Sequence, residues 1–286
     1  MKPAPDAGKL IAMSVALPRL DLETAAAEFA KLGFEAMEIH IAQVGPGLIQ
    51  LRLSERHAEA AGVAVRGSGL EVSTFNVVGE PSFQPFGDAE ARRETSRQLA
   101  VHLRMAAAMG APRILIWDGR LAAPGQLASA PELLSACIAG GLEQCDLPDP
   151  PAVSVEFHPF TFALEQGRLS ETARAVLDVG AGVCLDFCHV GVALGSGWPE
   201  ALGENVLGAV NHVHFSDTDC RTSELHFPPG DGVLNLELLG HRLAGRGLAV
   251  AWDLFSWPAP REAVRRTFGA YRDFVNRCRT AGGQRR

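Results

Sequence analysis

Residues that could bind a metal ion or transfer protons are concentrated in one part of the chain. Five of its nine histidines lie between residues 158 and 226. Carboxylates lie among them in apolar runs such as Val155-Glu156-Phe157-His158 and Leu185-Asp186-Phe187-Cys188-His189. Imidazole nitrogens and carboxylate oxygens bind divalent ions and also serve as general acids and bases. The pattern therefore indicates metal-assisted or acid–base chemistry, provided that the fold brings these residues together.

Eight short apolar runs with strand character alternate with helical segments, at a mean spacing of about 34 residues. The runs begin near Leu10, Glu35, Glu71, Arg113, Ala152, Gly182, Val210 and Leu248. Asp21 and Gly33 are typical of the start and the end of the first helix, as are Asp88 and Gly110 for a longer one. Such alternation predicts parallel strands with crossover helices, and eight units in this length predict one (β/α)8 TIM barrel.

A doubly wound open sheet is the main alternative fold. It requires a glycine-rich turn of the GxGxxG type after the first strand. The first apolar run, Ile11 to Leu17, leads instead into Pro18. We therefore expect residues 1–286 to form a single barrel domain, with a core from about residue 10 to residue 279.

Ionisable groups recur at the predicted carboxyl ends of the strands, where TIM barrels carry their catalytic groups. The candidate metal ligands are Glu156, Asp186, His214 and Asp253, one from each of strands five to eight. Three carboxylates and one imidazole suit a single divalent ion, Mn²⁺ or Mg²⁺, with Co²⁺ or Zn²⁺ as alternatives. Because successive strand residues alternate in direction, His158 is expected on the same face as Glu156, and strand six is expected to extend through His189.

Other ionisable residues have simpler interpretations when each is taken alone. Asp118 fits a solvated loop or a helix cap. His212 fits a hydrogen-bonded core histidine, whereas Glu38 and His40 fit the rim of the barrel. The prediction of a metal site therefore depends on four ligands at adjacent strand ends and not on any single residue.

The composition of the chain restricts the classes of partner that the protein is expected to bind. A formal net charge of −7 argues against sequence-independent binding of nucleic acid, which requires a dense basic face. No uncharged apolar run reaches the length of a membrane span. The six cysteines contain no CxxC pair, and we expect them to be reduced thiols in a cytoplasmic protein. A small molecule is the expected partner, and the oligomeric state is left open, a homo-oligomer included.

Between about residue 10 and residue 279 the sequence resembles the xylose isomerase-like TIM-barrel superfamily, which contains sugar (phosphate) isomerases and epimerases and, more distantly, the endonuclease IV group. The resemblance is carried by five stretches in a characteristic order: Leu32-Gly33-Phe34-Glu35-Ala36-Met37-Glu38, Val155-Glu156-Phe157-His158-Pro159, Leu185-Asp186-Phe187-Cys188-His189, His212-Val213-His214-Phe215-Ser216-Asp217 and Pro229-Gly230-Asp231-Gly232.

The resemblance implies a metal held by Glu156, Asp186, His214 and an acid on the last strand. The family usually has glutamate at that last position, whereas this chain has Asp253, which is shorter by one methylene and about 1.5 Å. This difference bears both on metal ligation and on proton transfer.

Further residues gain roles from the same resemblance. His189 would bind substrate in isomerases or a second metal in nucleases. Arg221 resembles the substrate-clamping arginine of ketose epimerases, offset by one residue, and His226 is expected near the same pocket. His158-Pro159 is similar to a segment in dehydratases of the superfamily.

The leading functional hypothesis is isomerisation or epimerisation of a sugar or related polyhydroxy ketone through an enediolate. Glu156 would act as the base, with Asp253 or His189 as the opposing acid, while His158, His189, Arg221 and His226 would bind substrate oxygens.

A dehydratase is the nearest alternative, since it begins with the same proton abstraction. A nuclease is a more distant one: Glu224-Leu225-His226 lies where the endonuclease IV group has a ligand pair, but Asn76 and Trp117 lie where it has histidines. A non-catalytic barrel is the remaining alternative.

Overall fold

Eight parallel β-strands pair in sequence order, β1 to β8, and β8 pairs with β1 to close the barrel. The structure is a computed structural model that describes residues 4–44, 53–222 and 225–279. Its strands are Ile11–Met13, Ala36–His40, Glu71–Asn76, Arg113–Trp117, Ala152–Glu156, Gly182–Asp186, Val210–Phe215 and Ala249–Trp252. Each begins within one residue of its predicted start. The predicted (β/α)8 barrel is therefore confirmed.

Helices surround the barrel. Those described, numbered α1 to α11, are Leu22–Leu32, Glu55–Gly67, Ala89–Met109, Ala130–Gln144, Phe162–Glu165, Leu169–Asp178, Phe187–Leu194, Trp198–Ala201, Glu204–Leu207, Leu236–Arg242 and Pro260–Cys278. The side chain of Asp21 accepts a hydrogen bond from the Thr24 backbone N–H at 2.8 Å and caps α1, as predicted. Gly33 and Gly110 end α1 and α3 with φ angles of 93° and 82°, a left-handed conformation that favours glycine.

The end of strand six differs from the prediction. Strand six was expected to reach His189, but β6 ends at Asp186 and α7 begins at Phe187. The Asp186 side chain accepts a hydrogen bond from the His189 backbone N–H at 2.8 Å and so caps the new helix. His189 therefore lies in the first turn of a helix, directly above the strand end.

The apolar core lies mainly between the barrel and the helices, where the outward residues of every strand are buried. A second, small apolar cluster fills part of the barrel interior; it consists of Ile11, Met13, Ala36, Ala249 and Ala251. Strands β2, β5, β6 and β7 bring charged or imidazole side chains into the buried interior instead. Because such groups are costly to bury unpaired, their partners determine what the interior can do.

The amino-terminal segment covers the opposite end of the barrel. Asp6 lies there in a buried ion pair with Arg113 of β4, with a contact of 3.1 Å, and also accepts a hydrogen bond from Ser73. The barrel thus has one end closed by a salt bridge and one end carrying the candidate ligands. None of the helices in the described ranges has both the length and the apolar character needed to span a bilayer.

Candidate metal centre and active site

The four predicted metal ligands lie together at the carboxyl ends of consecutive strands. Glu156 and Asp186 are the last residues of β5 and β6, His214 is the penultimate residue of β7, and Asp253 follows β8 directly. Asp186 is paired in register with His214 on the neighbouring strand. All four side chains are at most 3% exposed. The parallel register of the barrel is therefore sufficient to bring these residues to one buried point.

The Nδ1 atom of His214 is the centre of this group. It lies 2.9 Å from Glu156 Oε1, 3.4 Å from Asp186 Oδ2 and 3.7 Å from Asp253 Oδ2. These separations are similar to those between neighbouring ligands of one divalent ion whose bonds are about 2.0–2.2 Å long. Three carboxylates and one imidazole thus converge from four strands.

The chemistry of this group fits a divalent cation. Asp186 Oδ2 is buried and has no hydrogen-bond partner among the described residues, which is costly unless something else binds it. Glu156 Oε1, Asp186 Oδ2 and His214 Nδ1 lie within 4.8 Å of one another. An ion bound by these atoms would both satisfy the unpaired oxygen and neutralise part of the buried negative charge.

Electrostatic coupling supports the same interpretation. Burial raises the pKa of Glu156, but His214 and His158 outweigh it, and the pKa lies well below its usual range. Burial likewise opposes ionisation of Asp186, while His189 and His226 lower its pKa. Both carboxylates are therefore ionised at neutral pH, the form that binds a cation.

Three further histidines surround the ligands on the open side. His158 Nε2 lies 3.3 Å from Glu156 Oε2, and His189 Nδ1 lies 3.5 Å from Glu156 Oε1. His226 Nδ1 lies 2.7 Å from Asp253 Oδ2 and 4.0 Å from Asp186 Oδ2. The structure thus brings together the predicted substrate-contacting histidines and the predicted ligands.

His226 lies in the segment that follows β7, and backbone hydrogen bonds hold this segment against the barrel. Asp217 and Phe227 exchange backbone hydrogen bonds of 2.8 and 3.0 Å, and the N–H of His226 donates to the Phe255 carbonyl at 3.1 Å. The Asp217 carboxylate further accepts hydrogen bonds from the backbone N–H groups of Gly230 and Leu234. His226 therefore occupies a fixed position beside Asp253.

A cavity of about 210 Å³ opens above these residues. Its lining residues in the described part of the chain are Met13, Val15, His40, Asn76, Val78, Glu156, His158, His189, His214, His226, Asp253 and Phe255. The polar groups lie toward the strand ends, and valine, methionine and phenylalanine side chains complete the wall. A small molecule in this cavity would contact Glu156, Asp253 and all three surrounding histidines.

The predicted substrate-binding residue Arg221 does not join this group. Arg221 is exposed, and it is not among the described residues that line the cavity. Glu224, the acidic member of the nuclease-like Glu224-Leu225-His226 segment, lies outside the described residues. Asn76, which lies where nucleases of the superfamily have a histidine, donates a hydrogen bond to Glu38 at 2.7 Å.

The sequence interpretation of Glu38 as a rim residue is wrong, because its side chain is 1% exposed in the barrel interior. Its carboxylate contacts His212 Nε2 at 2.8 Å and His214 Nε2 at 3.2 Å. Burial raises the pKa of Glu38, but these two histidines outweigh it and lower the pKa below its usual range. His212 is fully buried, which confirms its interpretation as a hydrogen-bonded core histidine.

Asp118 is buried and is not a solvated loop residue. Its Oδ2 atom accepts a hydrogen bond from the Ala163 backbone N–H at 2.6 Å, so it holds the start of α5 as a cap from another loop. Its Oδ1 atom is buried without a partner among the described residues. Burial raises the pKa of Asp118 to about 7.

The sequence profile of the family described as xylose isomerase-like TIM barrel matches residues 26–270. The chain belongs to this family. The resemblance seen in the sequence motifs is therefore confirmed at the level of the family. No curated protein sequence matches the chain.

Solved structures agree on the fold of this family member. A D-tagatose 3-epimerase-like protein superposes with a TM-score of 0.72 at 15% identity, over 94% of this chain and 98% of that chain. The IolI protein, described with a bound zinc atom, gives 0.67 at 15% identity, over 93% and 98%. Endonuclease IV from Thermus thermophilus gives 0.61 at 19% identity, over 93% and 99%. At such identities these likenesses establish the barrel fold and leave the reaction to the site.

Proposed function

We propose that the protein is a divalent-metal-dependent isomerase or epimerase of a sugar or related polyhydroxy ketone. The observation that carries the proposal is the convergence of Glu156, Asp186 and Asp253 on Nδ1 of His214, all within 3.7 Å, at the base of a small-molecule cavity. Membership of the xylose isomerase-like family and likeness to an epimerase-like protein support the same reaction class.

Glu156, Asp186, His214 and Asp253 would hold the ion. When bound, a divalent ion supplies Lewis acidity that polarises a substrate carbonyl and stabilises the charge left by proton loss. Zinc is named with the IolI neighbour, and the oxygen-rich ligand set also suits Mn²⁺, Mg²⁺ or Co²⁺.

Glu156 is the proposed base that removes the proton next to the carbonyl. Its low pKa keeps it ionised, which is the form that accepts a proton, and its Oε2 atom faces His158 on the cavity side. Asp253 and His189 are the candidate acids that return a proton, since both line the same cavity. Return to the opposite face gives an epimer, whereas return to the neighbouring carbon gives an aldose–ketose isomer.

The cavity wall favours an uncharged substrate. No lysine or arginine is present among the described lining residues, and His40, His158, His189 and His226 supply polar groups suited to hydroxyl oxygens. A volume of about 210 Å³ is appropriate to a molecule of monosaccharide size. We therefore propose a free polyhydroxy ketone in preference to its phosphate ester.

Dehydration is the second candidate reaction. The observation that favours it is His158, whose Nε2 atom lies 3.3 Å from the proposed base and whose ring also lies on the cavity. An imidazole in that position could protonate a departing hydroxyl after the shared first step. Product structure distinguishes the two reactions directly.

The test is incubation of the protein with Mn²⁺, Co²⁺ or Zn²⁺ and a panel of ketoses, inososes and their phosphate esters in D₂O. Isomerase or epimerase activity predicts a new sugar with deuterium at the carbon that exchanges its proton, measured by NMR. A new alkene or enone signal would identify a dehydratase instead, and cleavage of an abasic-site duplex would identify a nuclease.

Matched variants assign the activity to the site. Glu156→Gln is expected to abolish deuterium incorporation, while Glu165→Gln, the same change at an exposed position nine residues later, should retain it. If the wild-type protein bound no divalent ion at micromolar concentration, or if Glu156→Gln bound it equally well, the metal-enzyme proposal would fail.

A further inference from the structure

A buried carboxylate lies behind the candidate metal ligands and is not one of them. Glu38 of β2 accepts contacts from three donors inside the barrel: Asn76 Nδ2 at 2.7 Å, His212 Nε2 at 2.8 Å and His214 Nε2 at 3.2 Å. Its side chain is 1% exposed. Glu38 therefore reaches the metal centre only through other side chains, on the side away from the cavity.

His214 is the ligand that Glu38 touches. The ring directs Nδ1 toward Glu156, Asp186 and Asp253, and it directs Nε2 toward Glu38. A neutral imidazole carries one proton, so only the tautomer with hydrogen on Nε2 leaves Nδ1 free to bind a cation. A carboxylate facing Nε2 stabilises that tautomer.

The same contact fixes the orientation of the ring. Rotating the imidazole by 180° about its bond to Cβ would exchange Nδ1 for a carbon atom on the ligand side and Nε2 for a carbon atom on the Glu38 side. The rotated ring would then lose both its contact to Glu38 and its contact to Glu156. Glu38 thus opposes both the wrong tautomer and the wrong rotamer.

We propose that Glu38 is a positioning residue that presents Nδ1 of His214 to the metal, as the buried end of a carboxylate–histidine–metal triad. The inference rests on the proposed function, because it assumes that His214 binds a divalent ion. Outer partners of this kind change metal affinity by about 10- to 100-fold when they are replaced. Asn76 and His212 hold the carboxylate in place, since each donates to one of its two oxygens.

A purely structural role for Glu38 is the competing explanation. In that case the three contacts would only satisfy a buried charge, and replacement would lower stability without a specific effect on the metal. Two measurements separate the two explanations: the metal affinity, compared with that of a control variant destabilised elsewhere, and the tautomer of the bound histidine.

The experiment compares the wild-type protein with Glu38→Gln, using Zn²⁺ alone as the probe. The glutamine keeps the shape, but its amide group cannot accept hydrogen bonds from all three donors. We expect the Zn²⁺ dissociation constant, measured by competition with a chromophoric chelator, to rise about 10- to 100-fold. Long-range ¹H–¹⁵N NMR of the Zn²⁺-loaded wild type should show His214 protonated at Nε2 and metal-bound at Nδ1.

Asp6→Asn is the matched control. Asp6 is also a buried, hydrogen-bonded carboxylate of the barrel, but it lies at the closed end with Arg113 and Ser73. Its replacement should lower stability and leave the Zn²⁺ dissociation constant within twofold of the wild-type value. An equal loss of affinity in this control would mean that general destabilisation explains the Glu38 result, and it would overturn the proposal.

The outcomes separate this inference from the proposed function. If the wild type binds Zn²⁺ and Glu38→Gln binds it equally well, the positioning role is overturned and the metal-enzyme proposal stands. If the wild type binds neither Zn²⁺ nor any of Mn²⁺, Mg²⁺ and Co²⁺, both fail. If Glu38→Gln does not fold, the wild-type NMR spectrum decides alone: a His214 bound through Nε2 and protonated at Nδ1 would overturn the inference.

Discussion

The Nδ1 atom of His226 lies 2.7 Å from the Oδ2 atom of Asp253, and both side chains are almost completely buried. The other carboxylate oxygen of Asp253 accepts a hydrogen bond from the Phe255 backbone N–H at 2.9 Å. One oxygen of Asp253 is therefore hydrogen-bonded and the other lies in contact with His226, although Asp253 is one methylene shorter than the glutamate expected from related sequences. The imidazole of His226 occupies space beside the end of this shorter side chain.

Asp253→Glu is accordingly expected to weaken metal binding and not to improve it. The added methylene would push the carboxylate against His226, and overpacking of a buried site costs about 1–3 kcal/mol. We expect a dissociation constant for Zn²⁺ at least several-fold higher than that of the wild type, measured by isothermal titration calorimetry.

The double variant Asp253→Glu/His226→Ala provides the control. Removing the imidazole leaves room for the longer acid, so metal affinity should recover relative to Asp253→Glu alone. Tighter binding by the single Asp253→Glu variant would show that His226 does not restrict the position of the carboxylate.

Metal binding should release protons. Burial lowers the pKa of His214, but the negative groups around it, including Glu38 and Glu156, raise the pKa well above its usual value. The metal-free imidazole is therefore protonated at neutral pH, and a cation must displace that proton. Affinity should rise with pH, by up to about tenfold per pH unit for one proton, until the pH exceeds this raised pKa.

Calorimetry in two buffers with different ionisation enthalpies measures this release. The apparent binding enthalpy should differ between the buffers in proportion to the number of protons released. An enthalpy that is independent of buffer, together with an affinity that is independent of pH from 6 to 8, would contradict the protonated state of His214.

Asp118 should make stability decrease with rising pH. Its pKa is about 7 in the folded protein because of burial, against about 3.9 in an unfolded chain. Between these two pH values the native state therefore binds one proton more than the unfolded state does. The stability that this protonation of Asp118 contributes is complete below about pH 4 and is lost as the pH rises through 7. Asp118→Asn retains an oxygen that can accept from the Ala163 N–H and removes the charge.

Between pH 4 and pH 8 the free energy of unfolding of Asp118→Asn should thus rise by about 4 kcal/mol relative to that of the wild type, so that the variant becomes relatively more stable. Urea denaturation of the metal-free proteins at both pH values measures this difference. Parallel pH profiles for the two proteins would show that Asp118 is ionised when folded.

The positions of Glu156, Asp186, His214 and Asp253 could be predicted because the barrel rule is simple. Parallel strands place their carboxyl ends at one rim, so locating the strands in the sequence was enough to predict that the four side chains lie close together. Their exact contacts depend on side-chain rotamers, which no spacing rule provides. Strand alternation alone does not account for the position of His158 beside Glu156, because β5 ends at Glu156.

The role of Glu38 could not be predicted from the sequence. How deep a strand residue lies inside a barrel depends on the register in which its strand pairs with the neighbouring strands. The pairing of β2 with β3 shifts between Met37 and Glu38, and this shift helps to set which residues reach the level of His212. Locating the strands could not predict the position of His226 either, since that position depends on the backbone pairing of Asp217 with Phe227 across a long connection. Both are tertiary effects that local sequence patterns do not encode.

Tyr271, the only tyrosine in the chain, bridges the two strands whose pairing closes the barrel. Its buried hydroxyl lies 2.7 Å from the Val250 carbonyl of β8 and 2.8 Å from the Ile11 backbone N–H of β1, across the short β1–β8 pairing. Tyr271→Phe leaves these backbone groups without their partner, which costs about 1–3 kcal/mol. Urea denaturation should show this loss while the dissociation constant for Zn²⁺ stays within twofold of the wild-type value. Unchanged stability would mean that the strand pairing alone closes the barrel, and a large loss of affinity would mean that this seam also shapes the metal centre.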